Sequence, residues 1–300
     1  MHPQVWFCYD AGPYFVAIPF LRIDLHSHST FSDGVLSPAS LIARAAGNGV
    51  SVLALTDHDE IGGLKPAAAA AREAGLILIP GVEISASWAG HTIHVLGLGI
   101  ALDNAQLLDG LALQAAARAR RAGRISERLA VAGIADAFSE AAEHATESRV
   151  PGRAHFARLI VERGMARDMK TAFSRYLAPG KPGFVAVEWV ALQQVLAWIR
   201  AAGGCSVLAH PDSYRLSQLQ LHALLEQFKV SGGDAIEYSA GSGKALAMLW
   251  KAACFFDLAL SVGSDFHAPA PGAADLGQVP RLPEGARTVW QDWNLHKLAA

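Results

Sequence analysis

Seven short apolar runs, each leading into a histidine or an acidic residue, constrain this chain more than any other feature. Leu21–His26 runs on to His28, Val52–Thr56 into Asp57-His58, and Leu76–Ile79 through Pro80-Gly81-Val82 into Glu83. Ile93–Leu98 carries His94, Ser206–Ala209 stops at His210, Ala235–Tyr238 holds Glu237, and Leu258–Gly263 leads to Asp265-Phe266-His267. Helical stretches at Pro38–Ala46, Leu64–Ala74 and Ala191–Ala202 lie between them. Short strands alternating with helices predict βα units and a parallel sheet. Ser37-Pro38 reads as a helix start and Gly75 as a stop. In a closed parallel barrel the strand ends converge on one mouth, so residues scattered over the chain meet in space.

The alternation breaks once. Leu107–Ala135, Ala137–Glu147, His155–Arg163 and Lys170–Leu177 are helical in period, and Pro179-Gly180-Lys181-Pro182-Gly183 closes the stretch. The expected organisation is an extension over residues 1–20, a discontinuous barrel over 21–103 and 184–300, and a helical insertion over 104–183 that caps the substrate. The segment after Pro269 is expected to wrap the outside.

At 52% hydrophobic and 17% charged, 300 residues can bury a large core, which excludes a disordered chain or a fibre. A net charge of −2 excludes the polyelectrolyte character that DNA or an anionic membrane demands, so any anion site is local. Three widely spaced cysteines fit reduced thiols and a cytoplasmic address. No run approaches the roughly 20 apolar residues of a membrane span.

Residues two apart on a strand point the same way, so His26 and His28 face one spot. With His58, His94, His210 and His267 they make six histidines, and Asp33, Glu83 and Asp265 add three carboxylates. Nine such donors without a thiolate are too many for one ion. They fit two or three divalent ions, Mn²⁺ first and Fe²⁺ or Zn²⁺ next. Ions so placed activate water to hydroxide and clamp phosphoryl oxygens, which points to phosphoester hydrolysis. Taken singly, a strand-end Asp such as Asp57 or Asp59 can be only the cap of the next helix. Asp24 and Glu237 are expected to support ligands from behind. His2, His144, His222 and His296 are read as solvent-facing and His91 as a loop residue.

The runs Asp24-Leu25-His26-Ser27-His28-Ser29, Ser32-Asp33-Gly34, Leu55-Thr56-Asp57-His58-Asp59, Gly81-Val82-Glu83-Ile84-Ser85, Ile93-His94-Val95, Ala209-His210-Pro211 and Gly263-Ser264-Asp265-Phe266-His267 resemble the PHP (polymerase and histidinol phosphatase) family of metal-dependent phosphoesterases. The resemblance implies an α/β fold, a distorted seven-stranded (β/α) barrel, and up to three metals. One ion would take His26, His28, Glu83 and Asp265, a second Glu83, His94 and His210, and a third Asp33, His58 and His267. Gly152-Arg153-Ala154-His155, Phe173–Leu177 and Gly180-Lys181-Pro182 are similar to the branch that hydrolyses 3′,5′-nucleoside bisphosphates, some members of which trim short RNA from the 5′ end.

Residues 118–181 hold 13 Lys and Arg against 7 Asp and Glu, a local excess that draws anions. Arg118, Arg120, Arg121, Arg124 and Arg128 read as a solvated helix face. Arg153, Arg158 and Lys181, in Gly-containing turns, are the expected phosphate ligands, since Arg forks onto phosphate. Asp57, His155 or a metal-bound water is the expected proton donor. The expected substrate is a small nucleotide bisphosphate, with short RNA or histidinol phosphate as alternatives, and Phe156, Tyr176 or Trp189 as a stacking platform for RNA. A noncatalytic metal-binding scaffold is the alternative from another class.

Overall fold

The computed structural model describes residues 21–147, 150–214, 216–239, 242–270 and 272–293; the expected extension over residues 1–20 lies outside them. Seven strands form one sheet in sequence order: β1 (Ile23–Asp24), β2 (Val52–Leu55), β3 (Ile77–Trp88), β4 (His91–Leu98), β5 (Cys205–Leu208), β6 (Ala235–Glu237) and β7 (Ala259–Ser261). The sheet curls until its ends meet. Leu25 N–H donates to the Val262 carbonyl at 2.9 Å, Asp265 N–H to His26 at 3.0 Å and His28 N–H to Phe266 at 2.9 Å. The fold is α/β, a distorted seven-stranded barrel with helices inserted between β4 and β5.

The sheet is not all-parallel as the alternation predicts. β3 runs through Pro80-Gly81 to Trp88 and turns straight back, pairing antiparallel with β4, which is also antiparallel to β5. The turn is Ala89-Gly90, with φ of +46° and +79°. Two consecutive positive φ angles match the twist of the flanking strands, so the hairpin closes in two residues. Because β4 runs backwards, its beginning lies at the mouth where the parallel strands end, which is why His94 reaches the other candidate ligands. Ser85 pairs with His94, so on alternation Glu83, Ser85 and His94 share a face while Val82, Ile84 and Ala86 enter the core on the other.

Helices α1 (Pro38–Gly47), α2 (Leu64–Ala74), α7 (Leu192–Ala201), α8 (Gln218–Val230) and α9 (Gly243–Phe256) accompany the strands. The Ser37 side chain accepts from Ser40 N–H ahead of Pro38, a cap of about 1 kcal/mol, and Gly75 closes α2 at φ +67°. Between β4 and β5 come α3 (Ala105–Val131), α4 (Ala137–His144), α5 (Arg153–Glu162) and α6 (Met169–Ala172), which continues as a π-helical turn over Phe173–Leu177. α3 joins two cores. Leu107 and Leu111 pack with Val82, Ile84 and Trp198 between the sheet and its outer helices, whereas Ala122, Ile125 and Leu129 pack with Phe156, Ile160 and Leu177. Gly110 lets α3 cross α7 closely, since a Cβ there would lie 2.5 Å from the Trp198 ring.

The tail does more than wrap the outside. Leu260 N–H donates to Arg287 at 2.8 Å and Val289 N–H to Leu260 at 3.1 Å, extending β7, and Val289 enters the barrel core. No helix among the described residues is long and apolar enough to cross a membrane.

Candidate metal centre

The strand exits deliver the nine expected ligands to one place. Ser27, between the two first histidines, is pinned to β2 through its hydroxyl to the Ala54 carbonyl at 2.7 Å and its N–H to Thr56 Oγ1 at 3.1 Å. That anchor turns His26 and His28 inward, both fully buried. Gly263 leaves room for them, because a Cβ there would overlap the His26 Cβ. His210 and Asp265 hold left-handed backbones at φ +30° and +51°, a conformation costing of order 1–3 kcal/mol that concentrates at functional sites.

Glu83 is the hub. Its Oε1 lies 2.9 Å from His94 Nδ1 and 3.0 Å from His210 Nε2, and its Oε2 lies 2.7 Å from His58 Nδ1. Oε2 is also 3.5 Å and 3.4 Å from the Nε2 atoms of His26 and His28. Asp265 Oδ1 stands 3.3 Å and 3.2 Å from the same two nitrogens, and Asp33 Oδ1 is 3.3 Å from His267 Nε2 and 3.8 Å from His58 Nε2. Donor atoms fall within 4.8 Å of one another in four overlapping groups: His28, Asp33, His58 and His267; His26, His28 and Asp265; His26, Glu83 and His210; and His58, Glu83 and His94.

These donors fit divalent cations. Among the described residues Asp33 Oδ1, His58 Nδ1, Glu83 Oε2 and His94 Nδ1 find no hydrogen-bond partner although buried, a state that costs free energy unless a ligand completes it. His26 Nδ1 sits 2.9 Å from Glu237 Oε1, and His267 Nδ1 sits 2.8 Å from the Asp265 carbonyl oxygen. Both oxygens are acceptors, so the proton of each neutral ring is on Nδ1 and Nε2 offers a lone pair. Those lone pairs face carboxylate oxygens, an arrangement that only a cation between them makes favourable. Protons can take that place. Burial opposes it, but Asp33 and Asp265 push His267 up to about 10, and Glu237, Asp265 and Glu83 hold His26 well above the usual histidine range. Metal uptake therefore releases protons and weakens in acid.

Supporting groups surround the cluster. Glu237 also accepts from the His210 N–H at 2.7 Å. Asp24, expected beneath the histidines, instead accepts from the Ser264 and Gly277 N–H groups at 2.9 Å and 2.7 Å, fixing the loops around them. Tyr214, which the sequence did not flag, accepts from His94 N–H at 2.8 Å and donates to the Ala209 carbonyl at 2.9 Å, so its hydroxyl caps the β4–β5 ladder between two ligands.

Asp57 corrects an expectation. Its oxygens accept from the Ser29 N–H at 2.8 Å and from the Ser29 and Ser32 hydroxyls, both at 2.6 Å, and it does not line the cavity above the cluster. It braces the loop that carries His28 and Asp33, and no geometry supports proton delivery from it.

That cavity runs from Asp33, His58 and His94 to Arg118, Arg121, Arg153 and His155 of the inserted helices. Here the charge reading is revised. Arg158 and Lys181 do not line it, and Lys181 is exposed. Arg118 and Arg121, read as a solvated face, point inward instead, while Arg120, Arg124 and Arg128 are exposed. The missed signal is spacing: Gln114, Arg118, Arg121 and Ile125 fall on one helical face. Gln114 and Arg118 dock α3 onto the barrel. Gln114 Nε2 donates to Asp59 Oδ1 at 3.1 Å, and Arg118 lies 2.6 Å from Asp59 Oδ2 and donates to Ser85 Oγ at 3.0 Å.

Arg118 is thus neutralised by Asp59. Among the described residues, Arg121 and Arg153 have no carboxylate in salt-bridge reach. Burial, then the neighbouring guanidiniums, lower Arg121 to about 9, and burial followed by Arg118 lowers Arg153. The Asp33 charge partly offsets Arg153, whereas among the described residues no acidic group acts on Arg121; two half-buried guanidiniums on one cavity, one of them without a counter-charge, make an anion site. Of the three expected stacking residues only Trp189 lines the cavity; Phe156 and Tyr176 pack in the core of the inserted helices. His91 lies tilted to Trp88 with ring centres 6.4 Å apart, His144 pairs with Glu162 at 2.8 Å and His222 lies against Phe255 and Phe256, all apart from the cluster.

His155 Nδ1 accepts the Gly152 N–H at 2.8 Å, and burial lowers this histidine to about 4. It is neutral at pH 7 with its proton on Nε2, a hydrogen-bond donor and not a proton reservoir. The unfolded chain binds a proton here below about pH 6.5 while the native state resists until about pH 4. Stability is therefore expected to fall by up to about 3 kcal/mol across that window. His155→Gln keeps an acceptor for Gly152 and should flatten the loss by that amount, read from urea titrations at pH 7 and pH 4.5.

A PHP domain model matches residues 24–177. The chain is 42% identical over 274 residues to a 3′,5′-nucleoside bisphosphate phosphatase of Chromobacterium violaceum, covering 90% of this chain and 96% of that one. It is also 42% identical over 272 residues to a 5′-3′ exoribonuclease of Haemophilus influenzae, covering 90% and 98%. Its fold superimposes on an amidohydrolase of C. violaceum with bound sulfate and no metal (TM-score 0.85, 39% identity, 92% and 95% covered). A second solved structure, from Bifidobacterium adolescentis and assigned as a metal-dependent phosphoesterase, matches at TM-score 0.75 with 27% identity over 93% and 96%.

Proposed function

The chain belongs to the PHP domain family and is a phosphoesterase of that family, and on this premise we propose that it removes the 3′-phosphate from 3′,5′-nucleoside bisphosphates. The observation that carries the reading is the pair of half-buried guanidiniums, Arg121 and Arg153, outside salt-bridge reach of any described carboxylate, in the cavity that opens on the candidate metal centre. A single-phosphate substrate has no use for them. A bisphosphate places one phosphate at the cluster and a second, dianionic one between the arginines.

In this reading His26, His28, Asp33, His58, Glu83, His94, His210, Asp265 and His267 hold two or three divalent ions, most simply Mn²⁺. Such ions supply Lewis acidity, activating water and neutralising charge on the phosphoryl oxygens. The spacing of the donors supports His26, His28 and Asp265 acting together, and Asp33, His58 and His267 acting together, with Glu83 between them. His94 is grouped with His58, whereas the resemblance pairs it with His210. Glu237 fixes the His26 ring. Arg153 and Arg121 bind the remote phosphate and His155 Nε2–H donates to it, so binding energy away from the reaction orients the scissile bond. The helices over residues 104–183 serve as the substrate cap, and the cytoplasm is the proposed site of action.

A second reading, 5′-3′ exoribonuclease on short RNA, is favoured by the equal identity to the H. influenzae relative and uses the same anion site for a 5′-phosphate. Phosphate release from Mn²⁺-loaded protein separates the two. The 3′,5′-bisphosphate should exceed the nucleoside 3′-monophosphate in kcat/KM by about 100-fold or more, since each charge-assisted contact contributes about 1.5–3 kcal/mol. Equal rates remove the second-phosphate argument. Faster turnover of a 5′-phosphorylated oligonucleotide favours the exonuclease.

A further inference from the structure

We infer that Trp189 is a specificity residue whose indole N–H donates to the remote phosphate of the substrate; this rests on the anion site proposed above. Trp189 is 4% exposed and lines the cavity, yet its Nε1 is buried without a hydrogen-bond partner among the described residues. A buried indole N–H ordinarily finds an acceptor. Trp88 does so here, donating to Gln227 Oε1 at 2.8 Å. Leaving a buried donor unpaired costs about 1–3 kcal/mol, so an idle one beside a cavity marks a place where a ligand supplies the acceptor.

The surroundings select the ligand. The Arg118 and Arg121 guanidiniums stand 5.3 Å and 5.8 Å from the Trp189 ring centre. Arg121 Nε is a second buried donor with no hydrogen-bond partner among the described residues. Two idle donors and an uncompensated cation lining one cavity call for a group with several acceptor oxygens and negative charge, which a phosphate monoester is and a base is not. The ring is held for this purpose from its backbone: Trp189 N–H donates to Ser87 Oγ at 2.8 Å, and Ser87 N–H to the Val190 carbonyl at 2.9 Å, tying residues 189–190 to β3. A purely structural tryptophan needs neither the cavity nor an unsatisfied nitrogen.

The test titrates the full chain with adenosine 5′-monophosphate, which carries only the remote phosphate, and with adenosine, following the indole N–H resonances by NMR. Trp189→Phe, which keeps the ring and its contact with the arginines, identifies the Trp189 signal. The expected result is a downfield shift of that signal with the monophosphate and none with adenosine, together with about 10- to 100-fold weaker monophosphate binding by the variant and unchanged adenosine binding. An unmoved Trp189 signal under saturating monophosphate overturns the inference, as does equal weakening for both ligands. Should the variant fail to fold, the other tryptophan variants assign the signal by elimination and the wild-type titration decides. A Trp189 shift in a protein that does not prefer the bisphosphate sinks the proposed reaction and leaves this donor assigned.

Discussion

Glu83→Gln is expected to lower phosphohydrolase kcat/KM by at least about 10³, equivalent to about 4 kcal/mol of transition-state stabilisation, and to strip the protein of bound metal. Both carboxylate oxygens lie among imidazoles: Oε1 faces His94 and His210, and Oε2 faces His58, His26 and His28. Glutamine keeps the volume but replaces a charged bridging oxygen by an amide nitrogen that cannot bind a cation. A change behind the ligands should cost less. Glu237→Gln weakens the orientation of His26 and the bond from the His210 N–H but removes no candidate ligand, and losses of 10- to 100-fold in metal affinity are typical of such partners. Metal content per chain and kcat/KM, measured side by side on both variants, check this ranking; equal losses would remove Glu83 from the centre of the site.

Arg121→Met should raise stability while lowering turnover of the bisphosphate. Burial and two neighbouring guanidiniums already lower Arg121 to about 9, and Arg153 is lowered too, so the native state holds unpaired charge that removal relieves. The loss is functional. One charge-assisted contact to the remote phosphate is worth about 1.5–3 kcal/mol, so kcat/KM for the bisphosphate should fall by about 10- to 150-fold and that for the 3′-monophosphate by no more than about twofold. Arg153→Met should lower turnover alike but gain less stability, because the Asp33 charge partly offsets Arg153. Arg118→Met should not, because it strands the buried Asp59 carboxylate and is expected to destabilise the docking of α3. Thermal midpoints and kinetics on the two substrates separate the three arginines; a lower midpoint for Arg121→Met would mean that its charge is already paired.

The clustering of the nine candidate ligands was legible because strand ends and histidines coincide, and that pattern survives an error in topology. The antiparallel β4 was not legible. Its turn, Ala89-Gly90, puts an alanine at positive φ where Asn or Asp would have announced a hairpin, and His94 still lands at the mouth because reversing a strand exchanges its ends. α8 announces itself by the box in which Ser217 and Gln220 exchange side-chain and backbone bonds, a signal the reading for strand ends passed over. The basic run of α3 is not one face: Arg118 and Arg121 share their side of the helix with the buried Gln114 and Ile125. Asp57 could not be sorted from sequence, since a carboxylate bracing a loop and one delivering a proton follow a strand alike.

Anomalous scattering from crystals of Mn²⁺-loaded protein tests the central claim most directly. The account predicts two or three peaks, each about 2.0–2.3 Å from nitrogens and oxygens of the nine named side chains, with Glu83 touching more than one. Peaks elsewhere, or imidazoles at the strand exits that hold no ion under saturating metal, would contradict it.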